Sequence, residues 1–342
     1  MRLITIDHVK EIVHHLGIES FMVQVIKALE DDFSRWPEFN KSPRHATHYP
    51  QGVMELMPCS DAQYYTYKFV NGHPGNTPNG RLCVTALGML AEVENGYPLL
   101  LSEMTLLTAI RTAATTALAA KYLARPDSQH LAIIGTGAQS EFQFLATQAV
   151  LPISTVSYYD PDTLAMKKFH HHLHFKAELR PCESINQAIK DADMIITATA
   201  KKSQNCLFGK DTIKSGTHIS AIGGDCPGKT ELPIEVLKAC KIIVEYLPQS
   251  LLEGEIQNAP NERIHAELWQ LVNGEKVGRT NDKEITLFDS VGFALEDFSI
   301  LRLVYQLTEQ LNIGQEVSMI PSPSNPKDLY GVLVPLSNST AK

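Results

Sequence analysis

A short apolar run that leads into two closely spaced glycines constrains the fold of this chain most strongly. The segment Ile133–Ser140 reads IIGTGAQS and lies between a predicted strand and a predicted helix. Gly135 would permit a tight turn there, and Gly137 would let the backbone approach a pyrophosphate at the helix amino terminus. We therefore expect a dinucleotide-binding loop, although Ser140 stands where Gly or Ala is usual.

An acidic residue at a suitable interval supports this interpretation. Asp160 follows the next predicted strand, 23 residues after Gly137, close to the interval of about 20 residues expected for the acid that binds the ribose hydroxyls. Its carboxylate would repel a 2′-phosphate, and neither Pro161 nor Asp162 supplies a compensating cation. The sequence therefore favours NAD over NADP, the alternative being that Asp160 only caps the next helix.

Alternating patterns predict the fold class around this loop. Strands are expected at 130–134, 154–159, 194–199, 218–222 and 242–245, and helices at 138–150, 164–175 and 184–190. Such alternation predicts a parallel sheet with right-handed crossovers, as in an α/β, Rossmann-like NAD-binding domain. We place this domain at residues 121–311.

The flanking sequence predicts a second, α+β domain. Helices are expected at 7–15, 19–36 and 105–123, and β-rich segments such as 52–57 and 64–70 indicate a mainly antiparallel sheet. A long amphipathic helix at 293–311 would close the core. We therefore predict a discontinuous substrate-binding and dimerisation domain, formed by residues 1–120 and 312–342.

Composition excludes several classes of partner. The 342 residues carry 30 Lys and Arg against 38 Asp and Glu, a net charge of −8, which argues against nucleic acid or an anionic membrane surface as the main partner. No apolar stretch approaches the roughly 18–20 residues that span a bilayer. The amino terminus lacks a secretory apolar core, so we expect a cytoplasmic protein without a signal peptide.

Cysteine and histidine positions do not indicate a metal site. The six cysteines are scattered without zinc spacing, so we interpret them as reduced thiols. His170 and His174 stand four residues apart, but no Cys or carboxylate partner lies beside them at a ligand spacing. A solvated helix face explains them better, and we expect no metal.

Three cations lie at positions where a charge is costly unless it is used. Lys68 lies within an aromatic-rich strand, Arg44 follows Pro43 at the edge of the sheet region, and Arg111 interrupts a small, apolar helix face. If they converged, they would suit a carboxylate ligand, since each charge-assisted hydrogen bond contributes about 1.5–3 kcal/mol. For each cation alone, a structural ion pair is an equally good explanation. Glu55, within an apolar strand, needs a similar account.

Several longer motifs resemble one protein family. The matching segments are 55–58 (ELMP), 68–74 (KFVNGHP), 111–115 (RTAAT), 137–140 (GAQS), 223–232 (GGDCPGKTEL) and 288–297 (FDSVGFALED). Together they identify the chain, from about residue 3 to 330, as similar to the ornithine cyclodeaminase/μ-crystallin family. The segment 223–232 resembles the bacterial ornithine cyclodeaminase subgroup in particular.

The resemblance implies conversion of L-ornithine to L-proline and ammonia, in ornithine catabolism and proline biosynthesis, with tightly held NAD regenerated each turnover. It makes Asp225 the catalytic acid/base, with Glu55 assisting at the distal amine. The α-carboxylate would bind the three cations, and Val291 would line the pocket. A homodimer paired through the β-rich domain is also implied, and the exposed sheet edges would need covering in any case.

The resemblance also implies a set of cofactor contacts. Ala138 and Gln139 would lie at the pyrophosphate and Asp160 at the ribose. The remaining positions are Cys83, Arg111, Gly135, Gly137, Thr199, Ile222, Gly223, Gly224, Asp225, Lys229 and Ser290. Cys83 departs from the family pattern, which can have Thr there.

Alternative functions share the same pocket. An NAD(P)H-dependent imine reductase or amino-acid dehydrogenase would use the same residues but would consume or accumulate reduced cofactor. A lysine cyclodeaminase would need room for one more methylene, worth about 1–3 kcal/mol. A non-catalytic, crystallin-like binding protein is the third alternative, against which the presence of Asp225 beside the three cations argues.

Overall fold

Two sheets organise the chain. The computed structural model describes residues 1–200, 206–259 and 264–334; residues 335–342, the end of the predicted second segment of the α+β domain, lie outside them. The strands are β1 (Arg2–Ile4), β2 (Asn40–Lys41), β3 (His45–Tyr49), β4 (Gly52–Ser60), β5 (Tyr64–Gly72), β6 (Val84–Glu92), β7 (Pro98–Glu103), β8 (His130–Ile134), β9 (Thr155–Tyr159), β10 (Glu178–Pro181), β11 (Met194–Thr197), β12 (His218–Ala221), β13 (Lys241–Val244), β14 (Ile264–Glu267), β15 (Thr286–Asp289) and β16 (Gln315–Glu316).

Helices cover these sheets. They are α1 (Ile6–Leu16), α2 (Ile18–Ser34), α3 (Thr105–Leu123), α4 (Ser140–Gln148), α5 (Thr163–Leu173), α6 (Ile185–Ile189), α7 (Ile234–Ala239), α8 (Leu247–Glu253), α9 (Leu268–Val272), α10 (Ala294–Leu311) and α11 (Tyr330–Leu333). Within the described ranges, no single helix is long and apolar enough to cross a membrane, although α1 and α2, which meet at a sharp bend, reach that length and apolarity together.

The first sheet is mainly antiparallel, with strand order β16-β1-β7-β6-β5-β4-β2 and β3 paired to β4. Its central strands largely alternate between buried and more exposed residues. In β5, for example, Lys68 and Val70 point inward whereas Phe69 points outward. Alternation of this kind covers one face of a sheet and leaves the other open. Helices α3 and α10 pack on the covered face, and α2 packs against these two helices.

The second sheet is parallel throughout, with strand order β10-β9-β8-β11-β12-β15-β13-β14. Its strands are short, and those between the edge strands β10 and β14 are almost continuously buried, as expected where helices cover both faces. Strand order changes direction at β8, which lies between β9 and β11. In α/β proteins, ligands bind at the carboxyl ends of the strands beside such a switch point. The predicted α/β class is confirmed.

Helix α10 connects the two sheets. It follows β15 of the parallel sheet, yet its side chains pack against β4, β5, β6 and α2 of the antiparallel half. We therefore propose that α10 belongs to the substrate-binding domain, so that the second boundary lies near residue 293 in place of the predicted 311.

Most predicted elements agree with the structure. Helix 105–123 and strand 130–134 have the predicted bounds, whereas helix 138–150 begins two residues later, at Ser140, because the glycine turn continues through Gln139. Strands β14 and β15 and helices α7, α8 and α9 were missed. They have at most seven residues each, too few to show a helical or strand period.

Asp193 ties together the amino-terminal edge of the parallel sheet. Its carboxylate accepts hydrogen bonds from Arg125 Nη2 (2.6 Å) and Lys214 Nζ (3.0 Å), and from the backbone N–H groups of Gln129 (3.0 Å) and His130 (3.1 Å). Partial burial alone would raise the pKa of Asp193, but these donors outweigh it and lower the pKa to about 2.

We predict that Asp193→Asn lowers the free energy of unfolding by about 2 kcal/mol at neutral pH, because two charge-assisted bonds are lost. The native pKa lies below the unfolded value, so wild-type Asp193 loses this contribution as pH falls from about 4 to about 2. Urea unfolding should therefore separate the two proteins at about pH 7 and much less at about pH 2.5. The exposed Asp127→Asn is the control, and equal stability of all three proteins at neutral pH would contradict the prediction.

Candidate active site

Loops from neighbouring parallel strands meet at one edge of the second sheet. The residues that follow β8, β11, β12 and β15 continue the strand pairing: Gly135 N donates to Tyr159 O, Ile222 N to Thr197 O, and Ser290 N to Ala221 O, at 2.9 to 3.0 Å. This arrangement places the predicted cofactor residues of these loops on the carboxyl edge of the sheet.

The glycine loop has the shape that a dinucleotide requires. Gly135 has φ +99°, and a Cβ there would lie 2.5 Å from the carbonyl oxygen of Ala198, so a side chain is excluded. A Cβ at Gly137 would meet no atom within 4 Å. The first glycine therefore lets two loops pack together, while the second borders open space at the start of α4, beside Ala138 and Gln139.

Asp160 holds the glycine loop in place. Its Oδ2 accepts hydrogen bonds from Thr136 N at 2.7 Å and Thr136 Oγ1 at 3.3 Å, and its Oδ1 accepts one from Asp162 N at 2.8 Å. The side chain of Asp162, rather than that of Asp160, caps α5. The alternative in which Asp160 is only a helix cap is therefore wrong, because the cap is the residue two positions later.

Buried carboxylates shape the loop that carries Asp225. A Cβ at Gly223 would lie 2.2 Å from the carboxyl group of Glu231, and a Cβ at Gly224 would lie 2.6 Å from Glu255 Oε1. Glu231 Oε1 also accepts a hydrogen bond from Thr199 N at 2.7 Å, which joins two loops of predicted cofactor residues. Burial raises the pKa of Glu255 to about 8 and also raises that of Glu231.

Asp225 is open to a ligand on one side. Its side chain is 52% exposed, whereas that of its partner Lys229 is nearly buried, and Lys229 Nζ lies 3.0 Å from Asp225 Oδ1. Burial alone would lower the pKa of Lys229, but the charge of Asp225 and its hydrogen bond to Lys229 lead the effects that raise this pKa overall. The carboxylate is thus held by one cation and keeps a free face.

Lys68 and Arg111 share one carboxylate. Asp297 Oδ1 accepts hydrogen bonds from Lys68 Nζ at 2.7 Å and from Arg111 Nε at 3.0 Å, and Arg111 Nη1 donates to Glu296 Oε2 at 2.6 Å. All four side chains are buried. Burial, and then the charge of Arg111, lower the pKa of Lys68 to about 8.

Arg44 reaches the same cluster from the edge of the antiparallel sheet. Its guanidinium lies 3.1 Å from both Glu55 and Glu253, and its Nη2 donates to the carbonyl oxygens of Val291 (2.9 Å) and Gly292 (2.6 Å). Burial alone would lower the pKa of Arg44, but Glu55, Glu253 and Asp225 raise it. Burial raises the pKa of Glu253 to about 7.

The structure therefore brings the three predicted cations together with Glu55, Val291 and Asp225. Arg44 is close enough to lower the pKa of Lys68 and to oppose the rise of that of Arg111. Each cation also has a protein carboxylate as a partner, so the ion pairs that the sequence left open as an alternative are present too. An additional anion would enter a site whose charges are already oriented.

Cys83 and the histidines between residues 170 and 174 lie on or beside other elements. Cys83 immediately precedes β6 of the antiparallel sheet, whereas the glycine loop follows a strand of the parallel sheet. His170, His171 and His172 are exposed on α5, and His174, which follows the end of that helix, is exposed too. In the part of the chain that the structure describes, no group of three or more His, Cys, Asp or Glu side chains could hold a metal ion.

Sequence reasoning missed the acidic partners of the cations. Glu296 and Asp297 lie within a motif that was recognised, and Glu245 and Glu253 lie in or beside α8. The sequence did contain one signal for such an acid: Glu245 directly follows the strand-like run 241–244 (KIIV). Parallel strands place the residues that follow them at the ligand-binding edge of the sheet.

Comparisons of the sequence and the structure with known proteins identify relatives of this chain. The model of the ornithine cyclodeaminase/mu-crystallin family matches residues 7–312. An ornithine cyclodeaminase of Agrobacterium tumefaciens (strain Ach5) is 50% identical over 332 residues, which cover 97% of this chain and 93% of that protein.

Two solved structures extend the comparison. A lysine cyclodeaminase, studied for recognition of L-lysine, L-ornithine and L-2,4-diaminobutyric acid, superposes with TM-score 0.91 at 28% identity, covering 96% of this chain and 98% of that one. An archaeal alanine dehydrogenase dimer with bound NAD superposes with TM-score 0.86 at 32% identity, covering 94% and 99%.

Proposed function

The chain belongs to the ornithine cyclodeaminase/mu-crystallin family, and we propose that it converts L-ornithine to L-proline and ammonia with NAD as a resident cofactor. Identity of 50% to an ornithine cyclodeaminase over nearly the whole of both chains supports this activity. The observation that carries the proposal is Asp225, a partly exposed carboxylate on a loop of the parallel sheet that lies close to the buried cation Arg44.

The residues at the sheet edge fit NAD. The open space at Gly137 and the excluded side chain at Gly135 leave a cradle at the start of α4. The residues proposed to hold the cofactor are Cys83, Arg111, Gly135, Gly137, Ala138, Gln139, Asp160, Thr199, Ile222, Gly223, Gly224, Asp225, Lys229 and Ser290. Bound NAD would accept a hydride from the substrate α-carbon and later return it to that carbon, so the reaction would consume no cofactor.

The three cations would bind and orient the α-carboxylate. Lys68 and Arg111 are held from behind by Asp297, and Arg44 by Glu55 and Glu253, so their remaining donors are fixed before substrate arrives. Fixing the carboxylate also fixes the α-carbon next to it, and holding the distal amine near that carbon favours ring closure over reaction in solution. Val291 would close the pocket wall.

Asp225 would move protons at the substrate amines. Its free face can accept a proton from an ammonium group, while Lys229 keeps it oriented. A positioned carboxylate contributes about 10²- to 10⁴-fold to such a step. Glu55, buried beside Arg44, would hold the distal ammonium until it gives up its proton. The neutral amine would then attack the α-carbon of the substrate imine and release ammonia, and the cyclic imine that remains would take back the hydride to give proline.

The outer face of the antiparallel sheet supports a homodimer. Leu56, Phe69 and Leu87 are paired across β4, β5 and β6 and are 47%, 36% and 54% exposed. A contiguous apolar row on an open sheet face is typical of an interaction surface. The related alanine dehydrogenase is described as a dimer, and we propose that two copies of this chain pair through this face.

The cellular setting belongs to the same proposal. All six cysteines lie among the described residues and form no disulfide, which suits a reducing compartment such as the cytoplasm. Conversion of ornithine to proline there would serve ornithine catabolism and proline biosynthesis.

The two glycines of the cofactor loop should differ in the effect of an added methyl group. Gly137→Ala should fold as wild type, because the Cβ meets nothing, but should weaken NAD binding by about tenfold or more, since it fills space reserved for the cofactor. Gly135→Ala should lower the melting temperature. Thermal melts with and without NAD measure both, and wild-type NAD affinity in Gly137→Ala would contradict the prediction. NADP should bind wild type more weakly than NAD.

The proposed reaction is redox-neutral, and this is its direct test. Incubation with L-ornithine and substoichiometric NAD should yield equal amounts of proline and ammonia without accumulation of NADH. Asp225→Asn should lower kcat by about 10²- to 10⁴-fold, and the exposed Asp127→Asn should not. Formation of one NADH per substrate consumed would instead indicate a dehydrogenase. Formation of pipecolate from lysine, at a higher kcat/KM than that for ornithine, would indicate a lysine cyclodeaminase. Absence of turnover would indicate a binding protein.

The dimer is tested by charge on the apolar face. Light scattering should give wild type a mass of twice 37.9 kDa, and Leu87→Glu should shift it towards one chain, because a buried unpaired carboxylate is costly. Leu164 on α5 is also exposed, and Leu164→Glu is the matched control. A monomeric wild type would overturn the proposal.

A further inference from the structure

Glu245 is a fully buried carboxylate that the proposed reaction does not use directly. It follows β13, and its side chain is 0% exposed. Glu245 Oε1 accepts a hydrogen bond from Ser290 Oγ at 2.6 Å, and Oε2 accepts from Val291 N at 3.0 Å and Gly292 N at 2.6 Å. One carboxylate thus binds three consecutive residues of the loop after β15.

The opposite side of this loop holds Arg44. The carbonyl oxygens of Val291 and Gly292 accept hydrogen bonds from Arg44 Nη2. Gln249 adds a second link, because its Nε2 donates to Gly292 O at 2.7 Å and its Oε1 accepts from Arg44 N at 3.2 Å. The N–H groups of the loop therefore face an anion and its carbonyl groups face a cation.

The same loop lies against Arg111. Gly292 has φ +85°, and a Cβ there would lie 2.7 Å from Arg111 Nη1. Two guanidinium groups thus flank one short loop. Burial and the charge of Arg44 act to lower the pKa of Arg111, whereas Asp297, Glu296 and then Glu245 raise it.

A neighbouring acid completes the setting. Glu296, which binds Arg111, is buried, and burial together with the charge of Glu245 raises the pKa of Glu296 well above its usual range. Glu296 therefore lies between Arg111 and Glu245.

We propose that Glu245 is a positioning residue that fixes loop 290–292 and thereby sets the placement of Arg44 relative to Arg111. This inference rests on the proposed function, in which both arginines bind the α-carboxylate of the substrate. Glu245 itself does not touch the substrate. Its effect on catalysis passes through the backbone of three residues and two guanidinium groups.

Substitution separates positioning from general stability. Glu245→Ala removes the acceptor for all three donors. It should raise KM for ornithine by about 10- to 100-fold, the effect of losing one charge-assisted hydrogen bond between an arginine and the substrate carboxylate. The change in kcat should be smaller. Glu245→Gln keeps an oxygen for the backbone N–H groups and should recover most of the affinity. Asp193 is a buried carboxylate at the opposite edge of the same sheet, and Asp193→Asn should lower the melting temperature without changing KM.

Hydrogen exchange gives a readout that is independent of activity. The N–H groups of Val291 and Gly292 should exchange about tenfold faster or more in Glu245→Ala than in wild type or Asp193→Asn. If Glu245→Ala does not fold, Glu245→Asp, one methylene shorter, should show the same increases in exchange and KM. Three results would overturn the inference. The first is wild-type exchange of these N–H groups in the Glu245→Ala and Glu245→Asp variants. The others are an equal rise of KM in Asp193→Asn, and a KM for Glu245→Gln as high as that for Glu245→Ala. Absence of ornithine turnover in wild type would refute the proposed function instead, and the exchange measurement would still test Glu245.

Discussion

The bridge from Lys68 through Asp297 to Arg111 is the interaction on which the rest of the site depends. Burying a lysine and an arginine is costly unless each is paired with good geometry. Here a single carboxylate oxygen accepts from both, and Glu296 adds a second acceptor for Arg111. Both acids lie in the first turn of α10, where the helix dipole also favours negative charge. Removing Asp297 would leave two buried cations without their common partner.

This bridge explains why the two sheets form one site. The antiparallel sheet contributes Lys68 and Glu55 on its buried face, α3 contributes Arg111, and the parallel sheet contributes the loops with Asp225 and Val291. Helix α10 starts directly after loop 290–292 and packs on the antiparallel sheet. Rigid strands and helices thus hold loops whose exposed groups can meet a ligand, an arrangement typical of enzyme sites.

Local patterns in the sequence were enough to predict the glycine loop and the parallel sheet and to single out the three cations, whose shared role was implied only by the family resemblance. Gly135 and Gly137 are read from their spacing, and Lys68 from its place in an alternating strand. The acids that hold the cations could not be assigned in this way, because Lys68 and Asp297 are 229 residues apart and no local period relates them. Glu245 belongs to a strand segment that the sequence did predict, but its partners follow a strand of four residues that is too short to be recognised. The expected end of the parallel domain at 311 placed α10 by its position in the chain, whereas its packing joins it to the other sheet.

A crystal structure with NAD and L-ornithine or L-proline tests the central claim most directly. The account predicts that the ligand carboxylate binds Arg44, Lys68 and Arg111 together, while Asp297 and Glu245 keep their contacts behind these cations and Asp225 faces the ligand nitrogen. A carboxylate bound elsewhere, with the three cations occupied only by protein carboxylates, would contradict it.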